Sequence, residues 1–153
     1  MIQFRPVKIV FMGSPEFAMP VLESLVSSHQ VMAVYTQPDR PSGRGLSPTP
    51  SPVKRQALAL GLKVIQPKSL KPAEEAASLQ ALKPEAIVVA AYGLLIPRSI
   101  LDIPPLGCLN VHPSLLPRHR GASPVTAAIL SGDAITGVSI MLLDEGWDTG
   151  PIL

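Results

Sequence analysis

The sequence is short of the residues that mark most other classes of protein. Its 153 residues include one cysteine, Cys108, so no internal disulfide can form and a reducing cytoplasm is the expected setting. Aromatic residues make up 4% and charged residues 16%, against 46% hydrophobic, which excludes a charged disordered tail and favours a packed, aliphatic interior. The longest apolar run, Ala86 to Ile96, is broken by Gly93 and falls short of the ~18 residues a bilayer span needs. Residues 1–30 lack the charged-then-apolar layout of a signal peptide, so no membrane partner is expected. There is no CxxC and no HExxH, so no metal is expected. No GxGxxG or Walker sequence follows the first strand, which removes the main support for a nucleotide cofactor or an NTPase. A net charge of +2 is too small for a chain that holds nucleic acid over its whole surface.

What is present alternates. Lys8–Met12 reads as a buried strand ending at Gly13, and Ser14-Pro15 as the cap and first residue of a helix running to Ser27-Ser28. Val31–Thr36 is a second strand, followed by a long Pro/Gly/Ser-rich loop, Gln37–Pro50. Ser51-Pro52 opens a second helix, which Gly61 is placed to end. Leu62–Gln66 is a third strand, Pro72–Leu82 an Ala-rich helix, and Ala86–Ala91 a fourth strand, apolar on both faces. A helical turn near Pro97–Leu101 leads to the fifth strand, Cys108–His112. Pro124–Leu130 is helical and Gly137–Leu143 a sixth strand. This order predicts one α/β domain with a mostly parallel sheet and helices on both faces. Pro151-Ile152-Leu153 reads like the start of another strand; if the sixth strand lacks that following partner, the sheet is left with an exposed edge.

Ligands of open parallel sheets bind beyond the carboxyl ends of the strands. The most loaded end here is Asn110-Val111-His112-Pro113-Ser114. Strand alternation puts Asn110 and His112 on one face, an amide donor beside an imidazole. Such a pair suits a reaction in which an oxyanion forms while a proton moves. The plainer reading, a turn asparagine and a satisfied strand-end histidine, stays open. A carboxylate to orient the imidazole is available at Asp144, Glu145 or Asp148, and spacing alone does not choose among them. Tyr92-Gly93 is either packing or a place where backbone meets a flat ring system. Cys108 reads as core, and His29 and His119 as solvated surface. Positive charge gathers in one place: Arg40, Arg44, Lys54 and Arg55 stand against Asp39 alone in and just after the long loop.

Leu109-Asn110-Val111-His112-Pro113-Ser114-Leu115-Leu116-Pro117-Arg118, continued by Arg120-Gly121-Ala122, resembles the signature loop of the 10-formyltetrahydrofolate-dependent formyltransferases. Asp148-Thr149-Gly150 is similar to that family's second signature. Within the family, Gln37–Gly45, Ser51-Pro52-Val53-Lys54 and Phe11–Ala18 look like the branch acting on methionyl-tRNA, and the resemblance runs from about Lys8 to Leu153. It implies a Rossmann-like, doubly wound formyltransferase fold. It implies Asn110, His112 and Asp148 as catalytic residues, with 10-formyltetrahydrofolate as co-substrate. It assigns Ser114, Leu115, Leu116 and Pro117, with Tyr92 and Gly93, to the folate, and Arg40 and Arg44 to the acceptor end of initiator Met-tRNA. A cytoplasmic monomer is the expected form. The resemblance further implies that residues 1–153 are an N-terminal catalytic domain, incomplete at its C-terminal end, without the family's C-terminal β-barrel. Two alternatives remain: a formyltransferase acting on glycinamide ribonucleotide or an amino sugar, and a catalytically silent folate- or tRNA-binding module.

Overall fold

The computed structural model describes residues 5–42 and 47–153. Among them eight strands form: β1 (Lys8–Gly13), β2 (Gln30–Tyr35), β3 (Arg40–Ser42), β4 (Ser47–Thr49), β5 (Val64–Ile65), β6 (Ala86–Ala90), β7 (Cys108–His112) and β8 (Ser139–Leu142). The helices are α1 (Met19–Ser28), α2 (Pro52–Ala59), α3 (Ala73–Ala81), the short α4 (Arg98–Leu101) and α5 (Pro124–Leu130), with a 3-10 turn at Glu16–Ala18 before α1.

Six strands make the main sheet in the order β5-β2-β1-β6-β7-β8, parallel except for β8, which runs antiparallel to β7. The chain begins near the middle, builds outward through β2 and β5, then crosses to the other side of β1 to add β6. Alternation divides the core accordingly. Ile9, Phe11, Val34, Val88 and Ala90 pack with Leu22 of α1 and Val53 and Ala57 of α2. Val10, Met12, Tyr35, Ile87 and Val89 pack on the opposite face with Leu79 of α3 and Ile100 of α4. Each fully buried aliphatic side chain contributes ~1.5–3 kcal/mol. The β1–β6 junction is the switch point of a doubly wound sheet, where a crevice opens at the carboxyl edge.

Local chemistry explains most boundaries. Ser51 caps α2, its Oγ accepting from Lys54 N at 3.0 Å, which is worth ~1 kcal/mol. Ser14 departs from the same expectation. Its Oγ donates to Tyr92 O (3.3 Å) and accepts from Gln37 N (3.2 Å) and Thr36 Oγ1 (3.3 Å), so Pro15 begins the 3-10 turn without a side-chain cap. The expected loop 37–50 contains the two-stranded hairpin β3–β4, antiparallel through Arg40↔Thr49 and Ser42↔Ser47. Short polar strands holding Pro41 and Pro48 show no apolar alternation, which is why the pattern hid them. At the far edge Ile152 forms an antiparallel bridge with Met141 of β8, and Leu153 N donates to Ile140 O at 2.9 Å. None of the helices among the described residues is long and apolar enough to cross a membrane.

Cys108 is 2% exposed on β7, and burial pushes its thiol up to about 12. Between pH 9 and 12 the unfolded chain gives up this proton while the folded chain keeps it. The thiol's contribution to stability is therefore fully present below pH 9 and is lost as pH rises toward 12. In iodoacetamide labelling at pH 8, Cys108 is expected to react at least about tenfold more slowly in the native protein than in denaturant, because only the thiolate attacks.

Candidate active site

The carboxyl end of β7 carries the site because its alternation turns Cys108, Asn110 and His112 inward on one face. Asn110 is 9% exposed and His112 4%. Burying an amide and an imidazole this deeply costs free energy unless partners are present. The partners come from two loops. Asp148, in the loop after β8, accepts from Asn110 Nδ2 through Oδ1 at 3.2 Å. Its Oδ2 accepts from Gly121 N at 2.8 Å and lies 3.6 Å from His112 Nδ1. The other ring nitrogen, Nε2, lies 3.0 Å from the carbonyl of His119. That carbonyl only accepts, so Nε2 carries the hydrogen.

Of the three carboxylates that spacing left open, Asp148 is the one in contact with Asn110. Asp144 is exposed and braces its own loop, accepting from Gly146 N (2.9 Å) and Thr149 Oγ1 (2.9 Å). Glu145 is exposed. Asp148 sits at φ 51, a left-handed conformation that aspartate tolerates better than most residues, and this turns its carboxylate back toward β7.

The loop from Ser114 to Arg120 wraps the site and is held by its own polar groups. Ser114 Oγ donates to Arg118 O at 2.7 Å. Ser139 of β8 donates to Ser114 O and accepts from Leu116 N, pinning the stretch to the sheet. The Ser114 hydroxyl is thus engaged within the protein, whereas the Leu115 side chain is 48% exposed. His119 corrects the expectation of a solvated surface residue. Its Nε2 lies 2.7 Å from Asp133 Oδ2, with both side chains 13% exposed. The Asp133 carboxyl is held below the usual range, first by that hydrogen bond and also by the charge of Arg118. Nothing in the pattern around Asp133 pointed to this pairing, because it depends on where α5 ends in space.

Tyr92 and Gly93 follow β6 at the switch point. Tyr92 is 2% exposed with its ring packed in the core, and of this pair only Gly93 is exposed. Gln37 Nε2 donates to Tyr92 O at 2.9 Å. Gly93 has φ 80, and a Cβ there would overlap the Gln37 amide. The close approach that glycine permits here is therefore made by Gln37. Beyond it lies a cleft of ≈ 390 Å³ lined by Ser14, Gln37, Arg40, Thr49, Ser51 and Ala91 among others.

The basic segment is less free than its composition suggested. Lys54 Nζ pairs with both oxygens of Asp39, at 2.9 and 2.7 Å, and Gln66 Nε2 adds a bond to Asp39 at 2.8 Å. These bonds, Lys54 first, hold the Asp39 carboxyl below its usual range and anchor the base of the hairpin. Arg40, on β3, and Arg55, on α2, are exposed. Arg44 lies outside the described residues.

A buried amide and imidazole thus meet a half-buried carboxylate at the carboxyl edge of a doubly wound sheet, and comparison with known proteins supplies the family. Residues 7–153 match the sequence model described as formyl transferase, and the chain belongs to that family. It is 60% identical over 146 residues to the methionyl-tRNA formyltransferase of Dehalococcoides mccartyi (strain CBDB1), an alignment covering 95% of this chain and 47% of that protein. The chain thus spans about half the length of the curated relatives it matches. Among solved structures, phosphoribosylglycinamide formyltransferase from Streptococcus pneumoniae TIGR4 superposes with a TM-score of 0.74 at 20% identity, over 96% of this chain and 79% of that one. A formyltetrahydrofolate deformylase from Pseudomonas syringae pv. tomato superposes with a TM-score of 0.73 at 21% identity, over 97% and 49%. At such identities the structures establish the fold alone, and it is the α/β, Rossmann-like sheet expected from the sequence.

Proposed function

We propose that this chain carries the catalytic domain of a cytoplasmic, monomeric enzyme that transfers the formyl group of 10-formyltetrahydrofolate to the α-amino group of methionine on initiator Met-tRNA. The observation that carries the reading is the convergence of Asn110, His112 and Asp148 at the carboxyl end of β7, in a family member 60% identical to a methionyl-tRNA formyltransferase.

The chemistry follows from the donors. The methionine amine attacks the formyl carbon, a C–N bond forms, and the carbonyl electrons move onto oxygen. Asn110 Nδ2 has two hydrogens; one is held by Asp148 and the other is available to that oxyanion. Collapse breaks the bond to the folate nitrogen, which receives the proton lost by the amine, and His112 is the group that carries it. Asp148 holds Asn110 through Oδ1 and sets Oδ2 3.6 Å from His112 Nδ1. The folate lies along Ser114–Pro117, where Leu115 offers apolar surface, with the main chain of Tyr92-Gly93 at its other side. Arg40, exposed on the hairpin, and Arg44 bind the phosphates of the acceptor end.

A panel of acceptors tests this in the full-length protein: Met-tRNA, glycinamide ribonucleotide and an amino sugar, each with the same formyl donor. Formylation of Met-tRNA alone is expected. Transfer only to either small acceptor replaces the substrate assignment, and folate binding without transfer makes the chain a silent module. Arg40→Ala is expected to weaken Met-tRNA binding and to lower the slope of log affinity against log salt by about 1. Filter binding at several salt concentrations reads this; an unchanged slope removes Arg40 from the interface.

A further inference from the structure

We propose that Asp133 is a positioning residue for His112, acting through the main chain of His119; the inference rests on His112 being the proton carrier. Asp133 follows α5 in a firm turn: its N donates to Ala128 O at 3.0 Å, and Gly132 N donates to Ile129 O at 3.0 Å. From that anchor its two oxygens take the next loop in hand. One binds the Arg118 guanidinium and the other the His119 ring. His119 stands at φ 54, in the left-handed region that residues other than glycine seldom occupy without an external hold. In this conformation its carbonyl meets His112 Nε2 at 3.0 Å. Two residues later Gly121 N meets the carboxylate of Asp148 at 2.8 Å. One clamp outside the site thus fixes a partner of the imidazole and a partner of its carboxylate.

Without Asp133 the His119 ring loses its anchor and the main chain relaxes out of the left-handed region. The carbonyl then leaves Nε2, and the His112 hydrogen is free to move to Nδ1 and point at Asp148. Asp133 is remote from the reacting atoms in this scheme, so its loss is expected to lower kcat by about 10- to 100-fold through misplacement and to leave KM for the formyl donor unchanged.

The decisive readout is the imidazole itself, by long-range proton–nitrogen NMR of the histidines in the full-length protein. His112 is assigned by its disappearance in His112→Ala. In the parent its Nε2 is expected to carry the hydrogen in a protected bond. In Asp133→Ala that signal is expected to shift and exchange rapidly with water. Adding His119→Gly to Asp133→Ala is expected to restore it, because glycine holds positive φ unaided. Should Asp133→Ala not fold, Asp133→Asn serves, since an amide has one acceptor oxygen for two donors and weakens the same bond. A His112 signal unmoved in the folded variant overturns the proposal, and so does a moved signal with kcat unaltered. A parent protein inactive on all acceptors defeats the functional reading instead, and leaves the ring measurement intact.

Discussion

Asn110→Ala is expected to lower kcat by about two to three orders of magnitude, the cost of removing one preorganised oxyanion donor. Binding of tetrahydrofolate, followed by fluorescence or calorimetry, should persist, because the loop proposed to hold it, Ser114–Pro117, is pinned by Ser139 and not by Asn110. His112→Ala is expected to fall by a similar or larger factor, about 100- to 10,000-fold, as general acid–base groups do. Neither change empties the hydrophobic core, since both side chains lie at the strand end, beyond Cys108. Parallel loss of folate binding and turnover would mean that the residues shape the pocket instead of acting in the reaction.

Asp148→Asn gives the second large effect, about a hundredfold in kcat, and it separates charge from backbone. Asparagine accepts the left-handed φ of 51 as readily as aspartate, so the loop keeps its course. What is lost is an oxygen pair that accepts from Asn110 Nδ2 and Gly121 N at once, together with the negative charge 3.6 Å from His112 Nδ1. Glu145→Gln, an exposed neighbour, is the matched control, with turnover expected within about twofold of the parent, as for surface changes generally. Equal effects at Asp148 and Glu145 would leave the orienting role without support.

The sequence was most legible where one physical rule acted alone. Ala86–Ala91 announced a strand covered on both faces because each residue is apolar, and β6 is buried throughout. Asn110 and His112 share a face because strands alternate, and β7 buries both. The Ser51-Pro52 start of α2 was readable from its cap. Legibility failed where a residue's role is set by something distant in sequence. Ser14 looks like Ser51 on paper, yet Tyr92, 78 positions away, and Gln37 claim its hydroxyl. Lys54 counted toward the charge of the basic segment, yet Asp39 meets it across the hairpin base, with Gln66 donating to the same carboxylate. His119 looked solvated because the carboxylate that pairs with it, Asp133, lies in the turn after α5. Asp148 falls between these cases. The family resemblance singled it out from Asp144 and Glu145, and only the fold shows the distances that separate them.

The site's central claim is that Asn110 and His112 act on one reacting carbonyl as a unit, and single-turnover kinetics tests it most directly. With donor bound and charged tRNA limiting, formyl transfer should be timed for the parent, Asn110→Ala, His112→Ala and the double variant. Residues that act together lose their effect together, so the double variant is expected to be scarcely slower than the worse single variant. Either single variant transferring formyl at the parent rate would contradict the account.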